Sequence, residues 1–133
     1  MGESAEMYLE TILVLQRKSD EGVHAIDVSR AMGFSKPSVS VALKRLKNQG
    51  FIDIDGFDHI ILLPKGRELA EEIYERHEIL TDVFVELGVP YEIAAEDACR
   101  IEHVVSKETF AALKKRRELI KKTRKRSSKA KKN

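Results

Sequence analysis

The stretch IDVSRAMGFSKPSVSVALKRLKNQG (residues 26–50) decides the reading of the fold. Gly33-Phe34 divides it into two helical segments joined by a tight turn. The first, Ile26 to Met32, is short, with Val28, Ala31 and Met32 expected to turn inward and small Ala31 where two helices cross. Ser35 is placed to cap the second, and Pro37 falls in its first turn, where a missing N–H costs little. That helix is expected to run to about Gln49, burying Val39, Leu43 and Leu46 at 4–3 spacing, with Gly50 as its stop. Ser38, Ser40, Val41, Lys44, Arg45 and Asn48 are left facing outward.

Upstream, Ala5 to Lys18 has a helical period, Tyr8, Ile12 and Leu15 on one line and Leu9 and Leu13 on the next, ending in Ser19-Asp-Glu-Gly22. Downstream the period shortens. Ile52 and Ile54 alternate with Asp53 and Asp55, Asp55-Gly-Phe-Asp58 makes a turn, and His59 to Leu63 returns β-rich, which is a hairpin. A long helix follows from Gly66 to Leu87, stopped by Gly88-Val-Pro90. Two more are expected over Tyr91–Val105 and from Lys107 to about Lys122. The fold class expected is mostly α with a small β wing: a winged helix-turn-helix at residues 1–65, then a helical domain at 66–122. Residues 123–133 are a basic tail without apolar period, expected to be disordered.

Composition limits the functional classes. The chain has 133 residues, 42% of them apolar and 35% charged, with one Cys and no Trp. A single Cys excludes an internal disulfide framework. No apolar run approaches the ~20 residues of a membrane span, and the start lacks the basic and apolar regions of a secretory signal. A cytoplasmic protein is expected. The net charge of +2 hides a partition. Residues 114–133 hold twelve Lys/Arg against Glu118 alone, leaving residues 1–113 at −9. Within that acidic body, residues 28–52 contain Arg30, Lys36, Lys44, Arg45 and Lys47 and no carboxylate.

An acid-free basic window on a helix-turn-helix is a candidate phosphate-contacting surface, the alternative being cations that only solvate a helix face. Recognition helices enter the major groove chiefly with their first residues, so Ser35, Lys36, Pro37, Ser38 and Val41 are the base-edge candidates, Val41 toward a thymine methyl. Arg30, Ser40, Lys44 and Arg45 complete the candidate DNA face. The wing argues back, since Asp53, Asp55 and Asp58 repel a phosphate backbone. The basic tail fits either non-specific nucleic-acid affinity or a solubilising end.

A second constellation suits a metal. Cys99, Glu102 and His103 stand at i, i+3 and i+4 of one expected helix, and Met7 and Glu10 at i, i+3 of the first. His77 sits between Ile73 and Leu80 on an apolar stripe. Thiolate, carboxylate, imidazole and thioether form a mixed donor set for a transition ion. Taken singly, each has a packing or surface explanation.

Order and spacing together resemble the diphtheria-toxin-repressor and manganese-transport-regulator family of metal-dependent repressors. The residues that carry the likeness, over residues 4 to about 115, are Glu6-Met-Tyr-Leu-Glu10, Ser35-Lys-Pro-Ser-Val-Ser40, Tyr74-Glu-Arg-His-Glu78 and Ala98-Cys-Arg-Ile-Glu-His103. The resemblance implies a homodimer of winged-helix and metal-binding halves, with a divalent ion as co-repressor at operators of metal-uptake genes. It implies Glu10, His77, Glu102 and His103 as ligands of the manganese branch. Met7 and Cys99 stand where that branch has acidic residues and where the iron branch has Met and Cys. The resemblance implies an incomplete ancillary site of the iron branch, with Ala95 and Thr81 at two of its positions, and a short form without an SH3-like domain is expected. Two sulfurs in place of hard oxygens favour Fe²⁺, with Mn²⁺ second. The expectation is a metal-gated repressor, not an enzyme, in which the ion ties Met7 and Glu10 to Cys99, Glu102 and His103. A winged-helix regulator that ignores metal or answers another ligand is the alternative. A Cys99–His103 thiolate pair lacks any orienting third group or phosphate loop to make a catalyst.

Overall fold

The computed structural model describes residues 3–132, with side chains over residues 4–125. Its elements are α1 (Glu3–Lys18), α2 (Ala25–Met32), α3 (Lys36–Asn48), β1 (Ile52–Ile54), β2 (Ile60–Leu62), α4 (Pro64–Glu86), α5 (Tyr91–Ile101) and α6 (Lys107–Lys132). They form two compact units, residues 1–74 and 75–133, dividing within α4. That division lies beyond residue 65, because Leu69, Ala70 and Tyr74 of α4 pack into the first core.

In the first unit, Tyr8, Leu9, Ile12 and Leu13 of α1 are buried with Val28, Val39, Leu43, Leu46, Ile52 and Ile60. The turn between α2 and α3 is fixed by three local devices. Gly33 takes φ +70 and donates its N–H to Ser29 O, the Ser29 hydroxyl donates to Phe34 O at 2.6 Å, and Ser35 Oγ accepts from Ser38 N–H. Ala31 is exposed, so the expected crossing does not rest on it. Val28 and Met32, one turn apart, face the core instead.

The wing pairs Ile52 with Leu62 and Ile54 with Ile60, antiparallel. Its turn is organised by Asp55, whose Oδ1 accepts N–H bonds from Phe57 at 2.8 Å and His59 at 2.9 Å. Those bonds, the His59 amide first, hold the Asp55 carboxyl below its usual range. Ile60 N–H also bonds Val23 O at 2.7 Å, which ties the hairpin to the segment before α2. The helix expected from Gly66 begins at Pro64, a residue suited to the first helical turn. Gly66 lies against Phe51: a Cβ there would meet Phe51 O at 2.0 Å.

In the second unit, Leu80, Ala98 and Phe110 are buried, with Phe84, Ile101, Val105 and Leu113 against them. Two helix ends differ from expectation. α5 stops at Ile101 and not at Val105, because Ser106 starts the next helix: its Oγ accepts from Thr109 N–H at 3.1 Å. α6 continues to Lys132 instead of ending near Lys122, so the segment expected to be disordered is helical in backbone. Its apolar period ceases after Ile120, but Lys, Arg and Ala are strong helix formers and cations suit a helix C-terminus. Three ion pairs link α6 to α4: Lys114–Glu75 at 2.6 Å, Arg117–Asp82 at 3.7 Å, and Arg124–Glu86.

Candidate metal centre and nucleic-acid interface

The second unit brings together three of the six candidate ligands. His77, on α4, sets Nδ1 3.0 Å from Glu102 Oε2, and His103 sets Nε2 3.3 Å from Glu102 Oε1. Glu102 is the C-cap of α5 and has no solvent exposure, so its carboxylate lies between two imidazoles away from bulk water. Burying a carboxylate is costly unless it is paired and hydrogen-bonded, so this environment needs its partners.

Local structure explains the placement. The buried face of α5 continues through its C-cap: Ala94, Ala98 and Glu102, four residues apart, have no exposure, and Glu102 keeps αR dihedrals and donates its N–H to Ala98 O, while Cys99 is exposed. Arg76 NH1 donates to Glu102 O, and the same guanidinium lies 4.6 Å from the Phe110 ring centroid, which braces the turn on the core. Thr81 is buried and donates to His77 O at 2.8 Å, so it steadies the histidine's helix. Neither Arg76 nor Thr81 was legible as a support, since each acts through backbone contacts that spacing does not reveal. In the first unit, Met7 and Glu10 lie on α1, both half-buried.

The donor chemistry fits a divalent transition ion. One carboxylate and two imidazoles are the oxygen and nitrogen donors that first-row ions share.

The first unit also presents the expected DNA-facing residues. Arg30, Ser35, Lys36, Pro37, Ser38, Ser40, Val41, Lys44 and Arg45 are all exposed, and Val41, at 56%, is a large apolar side chain left in solvent on α3. Lys47 is spent on Asp53 of the wing, 3.9 Å away. Phe57, at the wing's turn, is 79% exposed and was missed, because its setting among aspartates suggested a plain turn.

Two family profiles divide the chain in the same order. "Iron dependent repressor, N-terminal DNA binding domain" matches residues 1–60, and "Iron dependent repressor, metal binding and dimerisation domain" matches residues 63–127. The transcriptional regulator MntR of Escherichia coli (strain CFT073) is 38% identical over 112 residues, 84% of this chain and 72% of that one. The chain belongs to the iron-dependent repressor family. MntR of Salmonella typhimurium is 42% identical over 87 residues, 65% of this chain and 55% of that protein. Among solved structures, a manganese-dependent transcriptional repressor in complex with manganese superposes with a TM-score of 0.79 at 28% identity, covering 86% of this chain and 52% of that one. The chain thus spans little more than half the length of two of these three relatives. No helix among the described residues is long and apolar enough to cross a membrane.

Proposed function

We propose that this protein is a divalent-metal-dependent, DNA-binding transcriptional repressor of metal-homeostasis genes, acting as a cytoplasmic homodimer and without enzymatic activity. The observation that carries the reading is the buried Glu102 carboxylate between His77 and His103, in a chain that also presents a helix-turn-helix whose window is free of carboxylates.

His77, Glu102 and His103 would hold the ion, with Met7, Glu10 and Cys99 as the remaining donors. When bound, it supplies fixed positive charge to a strongly acidic segment: residues 66–102 carry eleven carboxylates against three basic side chains. The two sulfur donors favour Fe²⁺, with Mn²⁺ next, over the harder preference of an all-oxygen and nitrogen set. On the DNA side, Ser35, Lys36, Pro37, Ser38 and Val41 meet base edges, and Arg30, Ser40, Lys44 and Arg45 meet phosphates. A homodimer presents two α3 helices to half-sites about one helical turn, ~34 Å, apart. Linkage makes the coupling reciprocal: if metal tightens operator binding by some factor, operator DNA tightens metal binding by the same factor.

The test is calorimetric titration of Mn²⁺, and of Fe²⁺ without oxygen, into wild type and Glu102→Gln, whose amide keeps the shape and removes the charge. The variant should keep its far-UV spectrum and lose affinity by about tenfold or more. A variant that binds both ions as wild type does would overturn the proposal.

A further inference from the structure

Outside its ion pairs with α4, α6 carries a broad ridge of exposed cations that the proposed metal switch does not use. Three cations of α6, Lys114, Arg117 and Arg124, are bound to Glu75, Asp82 and Glu86, and these pairs fix which side of the helix faces α4. The Lys114 ammonium is held above its usual range by that hydrogen bond to Glu75. Lys115, Arg116, Lys121, Lys122 and Lys125 are exposed, and none has a carboxylate partner among the described residues. They occupy about 15 Å of helix at 1.5 Å per residue. The sequence adds four more cations beyond them, Arg126, Lys129, Lys131 and Lys132, and Glu118 is the lone acid from 114 onward.

We propose that this ridge is a second, sequence-independent nucleic-acid contact that binds the phosphates of duplex DNA, distinct from the winged helix's own. It rests on the proposed DNA-binding function, and two observations favour a duplex over another anionic surface. Duplex DNA carries about one charge per 1.7 Å, and a row of cations without intramolecular partners releases its condensed counterions. The wing, moreover, is acidic: Asp53 and Asp58 are exposed and the exposed Lys47 is paired to Asp53, so the hairpin brings few cations to the flanking phosphates.

The experiment uses the full chain and a random-sequence 30-base-pair duplex in EDTA, with anisotropy read from 50 to 300 mM salt. Wild type is compared with a variant carrying Lys115→Gln, Arg116→Gln, Lys121→Gln, Lys122→Gln and Lys125→Gln. Because the five are exposed and outside the ion pairs, the thermal midpoint should hold. The slope of log affinity against log salt should fall in magnitude by about 3 to 4, at roughly 0.9 per phosphate contact, and affinity at 150 mM salt by about tenfold or more. An unchanged slope overturns the proposal. So does loss of phosphatidylserine-vesicle binding, or of low-salt self-association, with DNA binding unaltered. Random duplex and chelator remove operator readout and the metal switch, so failure here is separable from failure of the repressor reading. A wild type that shows metal-stimulated operator binding beside an unchanged random-duplex slope sinks the ridge alone.

Discussion

Gly66 and Asp55 illustrate how far single residues were legible. As a glycine near a helix start Gly66 suggested only a boundary, yet its missing side chain admits the Phe51 carbonyl. No local pattern announces a backbone fifteen residues upstream. Gly66→Ala should destabilise the first unit by about 2–3 kcal/mol, measured by urea unfolding, because the atom met is backbone and has little room to move. Asp55 was legible as a turn former, and its two amide bonds confirm that role. Its carboxyl is depressed, so its contribution is full above the ordinary carboxylate value, near pH 4, and is lost as pH falls through the lower folded value. Asp55→Asn should therefore lower the thermal midpoint at pH 7 and make little difference at pH 2. Equal effects at both values would show that the ionised form contributes nothing. Of the candidate ligands, Glu102 was nominated by spacing and resemblance, but its complete burial, on one stripe with Ala94 and Ala98, was not legible because a carboxylate reads as a surface residue.

Elements were legible in proportion to the strength of their punctuation. α3 had a capping serine, a first-turn proline, a clean apolar stripe and a closing glycine, and it lies where these signals put it. Its two faces make opposite predictions. Leu46→Ala removes a side chain 2% exposed and should cost about 2–5 kcal/mol of stability. Val41→Ala should stay within about 0.5 kcal/mol in the same unfolding assay, as surface changes do. It should nonetheless weaken operator binding measurably, by loss of contact with a thymine methyl. If Val41→Ala instead unfolds the protein and spares DNA affinity, the outward face of α3 has been assigned wrongly. The ends of α5 and α6 were less legible for a physical reason. Hydrophobic periodicity reports burial, so it ran α5 on through the half-buried Val105 and stopped α6 where burial stopped. Capping by Ser106 and the helix propensity of Lys and Arg decided both ends.

At the scale of the whole molecule, charge and order carried most of the information. The division into a DNA-reading unit and a ligand-bearing unit was visible as a switch from the carboxylate-free window at 28–52 to the acidic segment at 66–102. Family profiles divide the chain in the same sequence. The compact units part further along, within α4, because tertiary packing of Leu69, Ala70 and Tyr74 follows no compositional boundary. In the proposed switch, a cation at Glu102 and its histidines governs DNA affinity. Its most direct measurement is anisotropy of a duplex selected in vitro by this protein with Mn²⁺ present, titrated with the full chain in Mn²⁺, in oxygen-free Fe²⁺ and in EDTA. Affinity should rise by about tenfold or more with either ion in wild type, a coupling of ~1.4 kcal/mol, and Glu102→Gln should show no rise. Equal affinity with metal and with chelator would contradict the account.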